Sequence, residues 1–280
     1  MHKQDGSKSL FSLSTLDSVT YKTAMVQVAG GTFTAGATGV TISGFNIDRY
    51  EVTYEYWNEV RNWALANGYL AADLAVGSNG YSPIGTHNPV IEVSWQDAVR
   101  WCNARSEKEG LTPVYYTDGT QATVYRATDI GINNDAVKWS ANGYRLPTEA
   151  EWEFAAKGGT STMGYAYSGS NVISNAAWSG STSGTSTHAT GSLSANELGI
   201  YDMSGNAMEW CWDWYDTDYP AGGITTDPQG PTTTKTYRVL RGGSFFEADN
   251  LCLVATRNYN VLPNDRGIST WGNGFRCVRK

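Results

Sequence analysis

Cysteine and histidine are the side chains through which a chain of this size does most redox and metal chemistry, and here they are few and scattered. Cys102, Cys211, Cys252 and Cys277 lie far apart with no CxxC pair, and histidine occurs only at His2, His87 and His188. Structural zinc takes four N or S ligands at close spacing, so this pattern argues against a zinc site. The even cysteine count permits two disulfides in three connectivities, or buried thiols. Phosphate-backbone chemistry is disfavoured as well. The chain has 20 Lys and Arg against 27 Asp and Glu, a net charge of −7, and no basic cluster.

The same composition restricts the elements that must position any site. Only 17% of the 280 residues are charged, while 11 tryptophans, 17 tyrosines and 31 glycines are present. That aromatic content excludes disorder over most of the length. No apolar run approaches the roughly 18 residues of a membrane helix. Met1 to Ser9 has no apolar core, which leaves a cytoplasmic protein, or an exported one whose signal has been removed. Strand-like runs occur at Met25–Val28, Thr32–Thr34, Val40–Ile42 and Phe45–Ile47. Gly30-Gly31 and Gly44 lie between them, which suggests a hairpin or a bulge. Thr53 caps a helical pattern with Trp57, Val60 and Ala64 on one face. Ser94 to Asp97 has capping-box form and begins a helix that places Trp95, Ala98, Val99 and Cys102 together and ends near Glu109-Gly110. Thr148 to Glu151 repeats the form, with a helix running to about Lys157 and stopping at Gly158-Gly159. From Gly158 to about Ser194 the chain is dominated by Ser, Thr, Gly and Ala, a long irregular stretch that something must hold in place. Strand signals return at Tyr237–Leu240 and Gly274–Arg279. The reading is one α+β domain over 25–280, preceded by a flexible segment, 1–24.

Seven motifs in fixed order carry a resemblance. They are Met25-Val26 to Gly31-Thr32-Phe33, Asp48 to Thr53 (DRYEVT), Pro89 to Trp95 (PVIEVSW), Tyr144 to Glu153 (YRLPTEAEWE), Tyr201 to Trp210 (YDMSGNAMEW), Arg241-Gly242-Gly243-Ser244 and Gly274-Phe275-Arg276. Across residues 25 to 279 the chain resembles the formylglycine-generating-enzyme, or sulfatase-modifying-factor, family. The resemblance implies a C-type-lectin-like fold with small antiparallel sheets, two to three main helices and much irregular chain. Oxidase members use two cysteines five residues apart after the Gly-Gly-Ser motif to bind copper and oxidise a substrate cysteine. Here Cys252 matches the second position and Glu247 occupies the first. Cu(I) favours paired soft thiolates, so the oxidase site is incomplete. Iron-dependent sulfoxide synthases of a related branch need a histidine cluster that three histidines do not supply.

Residues 238 to 279 further resemble the variable region of diversity-generating-retroelement proteins, in which a lectin-like scaffold carries targeted substitutions. The implied scaffold includes Arg241 to Phe245, Cys252, Ala255, Arg257, Pro263, Arg266 and Gly274 to Arg276. The implied ligand-binding positions are Phe246, Glu247, Asp249, Asn250, Leu251, Leu253, Thr256, Asn258, Tyr259, Asn260, Asn264, Asp265, Ile268, Ser269, Thr270 and Trp271. Glu247 and Trp271 cannot be reached from an asparagine codon by changing adenines, so they are fixed or outside that scheme. Asn, Asp, Ser and Tyr for adaptable hydrogen bonds, with aromatic residues for rigid contact, is also the composition of antibody paratopes. The function implied is a non-enzymatic, surface-displayed binder of a protein or glycan on another cell, located outside the cell or on its surface. A lipid anchor would then lie outside this chain, and no nucleic acid is involved. The alternatives are an oxidase using Cys252 alone, or an undiversified small-ligand binder.

The resemblance implies two structural sites as well. A calcium ion would be held by the side chains of Asp202 and Glu209 and the carbonyls of Gly205 and Ala207, an oxygen set that suits Ca2+. A disulfide would join Cys102 to Cys277. Cys211 and Cys252 would form a second bridge or stay as thiols. Arg145, Arg257 and Arg276 are expected to tie irregular backbone to carboxylates.

Overall fold

The computed structural model describes residues 24–80, 85, 87–127, 131–220, 223, 225–259, 261–266 and 272–280. The expected flexible segment therefore lies almost wholly outside the described residues.

The first four strands are β1 (Met25–Val28), β2 (Gly31–Ala35), β3 (Thr38–Ile42) and β4 (Phe45–Asp48). β1 pairs with β4 and β2 with β3, both antiparallel and in one register, since Met25 faces Asp48 and Gly31 faces Ile42. The four runs are thus one two-stranded ribbon turning at Gly36, and the Gly30-Gly31 break is not itself a hairpin turn. A Cβ on Gly30 would stand 2.8 Å from the Ile42 carbonyl oxygen and 3.0 Å from the Gly44 nitrogen. The ribbon is interrupted where two glycines let its backbones touch.

Helices α1 (Tyr54–Ala66), α2 (Trp95–Lys108) and α3 (Glu149–Ala156) begin at the expected caps. Thr53 accepts from the Tyr56 N–H, and Ser94 with Asp97 and Thr148 with Glu151 form complete capping boxes. α1 buries Trp57, Val60 and Ala64. α3 ends at Lys157, followed by Gly158 at φ +85°. A one-turn helix, α4, covers Ile173–Ala176.

The decisive element is β5 (Met208–Trp214), every residue of which is buried. Its alternation places Met208, Trp210 and Trp212 in one hydrophobic cluster with α1 and α2. Cys211 faces a second cluster built from the ribbon and α3. β5 pairs antiparallel with β6 (Arg238–Arg241) and parallel with β8 (Asn273–Gly274), while β7 (Arg257–Asn258) is added outside β6. The expected C-terminal strand over 274–279 is split. β8 belongs to the four-stranded sheet, and β9 (Val278–Arg279) pairs with β4 of the ribbon. Phe275 to Cys277 cross between sheets, each fully buried.

Candidate ligand-binding face and its scaffold

Buried and half-buried arginines anchor the segment 238–279 at several points. Arg276 donates Nε and Nη2 to the Glu209 carboxylate at 2.6–2.9 Å. The Arg257 guanidinium grips both oxygens of Glu149 at 2.6 and 2.8 Å, and its face lies against Tyr215 and Tyr219. Arg241 bonds the Glu153 carboxylate and the Thr256 carbonyl. Arg145 pairs with Glu151 at 2.6 Å through both nitrogens. The expected role of Arg145, Arg257 and Arg276 is thus visible atom by atom. Arg238 differs. It is packed between Trp95 and Trp214, 3.8 and 3.6 Å from the ring centroids, and donates to the carbonyls of Trp212 and Ile132. Burial pushes its pKa well below the ordinary arginine value.

On this frame the expected ligand positions separate into kinds. Phe246 is 54% exposed, Tyr259 37% and the adjacent Leu262 45%. Asn250, Asn264 and Asp265 are exposed, and Leu251, Leu253, Thr256 and Asn258 are half-buried. Tyr259 stacks on Tyr215 at 3.7 Å between centroids. Glu247 is half-buried, which raises its carboxyl pKa. Asn260, Ile268, Ser269, Thr270 and Trp271 lie outside the described residues. Two of the positions serve the scaffold. Thr256 bonds the Asn250 carbonyl through its hydroxyl while its own carbonyl receives Arg241. Asp249 accepts from the hydroxyls of Ser179 and Ser181, each at 2.7 Å, which holds its pKa below the usual carboxylate range.

Those serines reveal a wall absent from the sequence expectation. The Ser/Thr-rich stretch packs against the face through the Gly180 N–H to the Glu247 carbonyl and the Ser183 hydroxyl to the Phe245 carbonyl. Beside it Trp178 stacks on His188 at 3.7 Å. Backbone-to-backbone closeness selects Gly180 here, since a Cβ would sit 3.0 Å from the Glu247 carbonyl oxygen.

Cys252 is buried, its thiol 3.9 Å from the Ser244 carbonyl oxygen. Burial, then Glu247 and Asp249, push that thiol up to about 12. The other three cysteines pack in the two hydrophobic clusters. The Cys102 and Cys277 sulfurs stand 3.6 Å apart, both as free thiols. The expected partners are neighbours, at a separation longer than the roughly 2.05 Å of a disulfide bond.

Asp202 and Glu209 are brought together in one buried cluster with Glu51, which sequence reasoning did not single out. Glu51 accepts the Ala207 N–H at 2.7 Å and the Asn206 amide at 2.6 Å, fixing the loop that carries the expected carbonyl ligands. Asp202 accepts the Gly191 N–H, and Glu209 also accepts from Trp152 Nε1 at 2.8 Å. Burial raises Asp202 to about 6, against the Gly191 hydrogen bond and Arg276. Burial, Asp202 and Glu209 raise Glu51 well above its ordinary value. Three carboxyl groups and one guanidinium, that of Arg276, interact in this cluster. The occupation of both Glu209 oxygens by Arg276 means that a cation would have to share them. Among the described residues no three His, Cys, Asp or Glu side chains converge as a ligand set, so any such site depends on backbone carbonyls.

Residues 11–280 match the model for the sulfatase-modifying factor enzyme 1-like domain. The chain belongs to this family. It is 36% identical to the chaperone protein LppX of Paenibacillus barcinonensis over 92% of both chains. It is 35% identical to the formylglycine-generating enzyme of Streptomyces coelicolor over 62% of this chain and 55% of the enzyme. Among solved structures it is similar to Treponema denticola variable protein 1, with a TM-score of 0.68, 30% identity, and 90% of this chain and 99% of that one covered. The fold is the α+β, C-type-lectin-like fold of the formylglycine-generating-enzyme type, as the motifs imply. No helix among the described residues is long and apolar enough to cross a membrane.

Proposed function

We propose that this member of the family is a non-enzymatic binding protein whose ligand face is built from the segment 238–279 and displayed outside the cell. The observation that carries the reading is the state of Cys252, a buried thiol whose pKa is pushed up to about 12 beside Glu247, with no second thiol next to it. A redox cysteine needs an accessible thiolate, and a Cu(I) site needs a soft partner that a carboxylate does not replace. In the same segment, exposed Phe246, Tyr259 and Leu262 sit on an arginine-anchored frame. The names of the LppX chaperone and of the treponeme variable protein also point away from catalysis. The ligand is a protein or glycan on another surface. Diversification by a retroelement would leave a near-identical copy of the codons for 238–279 beside a reverse-transcriptase gene.

Titration of the reduced protein with Cu(I), followed by incubation with a cysteine-containing peptide, tests the reading. The expected results are no stoichiometric uptake and no aldehyde. One equivalent of copper lost on Cys252→Ser would overturn it.

Calcium held by Asp202, Glu209 and the carbonyls of Gly205 and Ala207 is proposed as a structural ion that relieves the Glu51, Asp202 and Glu209 repulsion. Chelator-treated protein should then gain thermal stability on calcium addition, by about 2.7 kcal/mol at a hundredfold excess over Kd. No shift in melting temperature would remove the ion from the account.

A further inference from the structure

Charged side chains on and beside α3 form one alternating row. Lys157 pairs with Glu153 at 2.5 Å, Glu153 with Arg241, Arg241 Nε stands 3.5 Å from Glu149 Oε1, and Glu149 receives Arg257 at 2.6 Å. Asp216, next to Arg257, is matched separately by Lys235 at 2.6 Å. The row sets three cations against two carboxylates and ends on a cation at either side, a net charge of +1. Both end groups have donors left over among the described residues. Glu153 and the Thr34 carbonyl take two of the three Lys157 N–H groups. Glu149 and the Asp216 carbonyl take three of the five on Arg257.

Both ends line one cavity of about 350 Å3, at the lower end of the range for small-molecule sites. It is bounded by the ribbon turn at Gly36, by Ala255 and by the exposed Thr217. The Lys157 and Arg257 side chains keep 27% and 17% of their surface, so solvent reaches them. Tyr219 lines the cavity too, its ring centroid 4.6 Å from the Arg257 guanidinium carbon. Its hydroxyl is buried near the Glu153 carboxylate, with no hydrogen-bond partner among the described residues. Burial first, then the charges of Glu153 and Glu149, push the Tyr219 pKa up, so the hydroxyl stays a donor. Few buried polar groups are left unpaired, because each bears a desolvation penalty with nothing in return.

We propose that this cavity is a binding site for a small organic monocarboxylate. The carboxylate is drawn by the Lys157 and Arg257 cations and accepts from the Tyr219 hydroxyl, in charge-assisted bonds. One negative charge cancels the surplus of the row. A dianion would overshoot it beside Glu153, and a cation would meet Lys157 and Arg257 with no unmatched carboxylate to receive it. The apolar body of the ligand lies against the Tyr219 ring, Gly36 and Ala255. The site is on the inner side of the segment 238–279 and is independent of the outer ligand face.

The test uses the full 15N-labelled chain, titrated at fixed ionic strength with butyrate, with sulfate and with butylammonium. The backbone amide signals of Gly36, Lys157 and Ala255 should shift saturably with millimolar butyrate and not with butylammonium, and sulfate should bind more weakly. Tyr219→Phe removes only the unpaired hydroxyl. It should keep or raise the melting temperature while weakening butyrate binding about tenfold. Absence of any saturable shift with butyrate overturns the proposal, as does an equal response to butylammonium. Tighter binding of sulfate than of butyrate overturns the monoanion assignment. Butyrate binding that Tyr219→Phe leaves unchanged, or a lowered melting temperature in that variant, overturns the role of the hydroxyl. Failure of the outer-face reading shows separately, as copper uptake at Cys252.

Discussion

The two sides of the segment 238–279 obey opposite rules. On the inner side, Arg241, Arg257 and Arg276 each meet a buried carboxylate from another part of the chain, Glu153, Glu149 and Glu209. On the outer side, Phe246, Tyr259 and Leu262 stand in solvent, and the neighbouring asparagines are exposed or half-buried. The inner side has lost the freedom to change, because removing one partner strands a buried charge. The outer side owes the fold little. The difference shows how one short stretch can be both the most constrained and the most replaceable part of a protein.

Perturbing the inner side should produce the largest effects. The Cys102–Cys277 bridge that the resemblance implies would close a 175-residue loop, so if it forms in oxidised protein Cys102→Ser should cost about 5 kcal/mol on the chain-entropy model, read by denaturant unfolding. If a thiol titration of unreduced, denatured protein finds four free thiols, the bridge is absent and the cost falls to that of a small core change.

Arg276→Ala should cost about 3–5 kcal/mol, because Glu209 is left buried and uncompensated. A loss below 1 kcal/mol would mean that the arginine frame does not brace the face.

Asp213 gives the inner side a pH dependence. It is fully buried, and burial followed by the charge of Glu149 raises its pKa from 3.8 to about 8. The folded state therefore holds a proton that the unfolded chain releases. Stability from this group is complete below about pH 4 and declines as pH rises towards 8, by at most about 1.4 kcal/mol per unit. Asp213→Asn should flatten that decline in a series of melting curves, while its oxygen still accepts the Glu149 N–H. An unchanged slope would place the titration elsewhere.

The smallest effect on stability belongs to the outer side. Phe246→Ala should change unfolding free energy by no more than about 0.5 kcal/mol, yet weaken ligand binding at least tenfold. A variant that unfolds easily would make Phe246 part of the frame and erase the contrast between the two sides.

Much of the inner side is legible in the sequence, because caps and helix faces are local. Thr53, Ser94 and Thr148 announce their helices within four residues. The strand β5 is equally legible in the alternation of Trp210, Trp212 and Trp214, a period of two. Gly30-Gly31 and Gly44 suggest a hairpin or a bulge, but which it is depends on which strands pair, and pairing is not local. Glu51 joins Asp202 from 151 residues away in sequence, and Ser179 and Ser181 reach Asp249 across about seventy. No spacing rule connects such residues.

The pairing of β9 with β4 has a consequence for synthesis. Ile47 and Val278 are strand partners more than 230 residues apart. At roughly 5–20 residues per second the ribbon would wait on the order of ten to fifty seconds for the strand that completes its sheet. During that interval β4 presents an open edge, the kind of template that recruits the wrong strand. Until the last strand arrives, the nascent chain must be kept from finding a substitute.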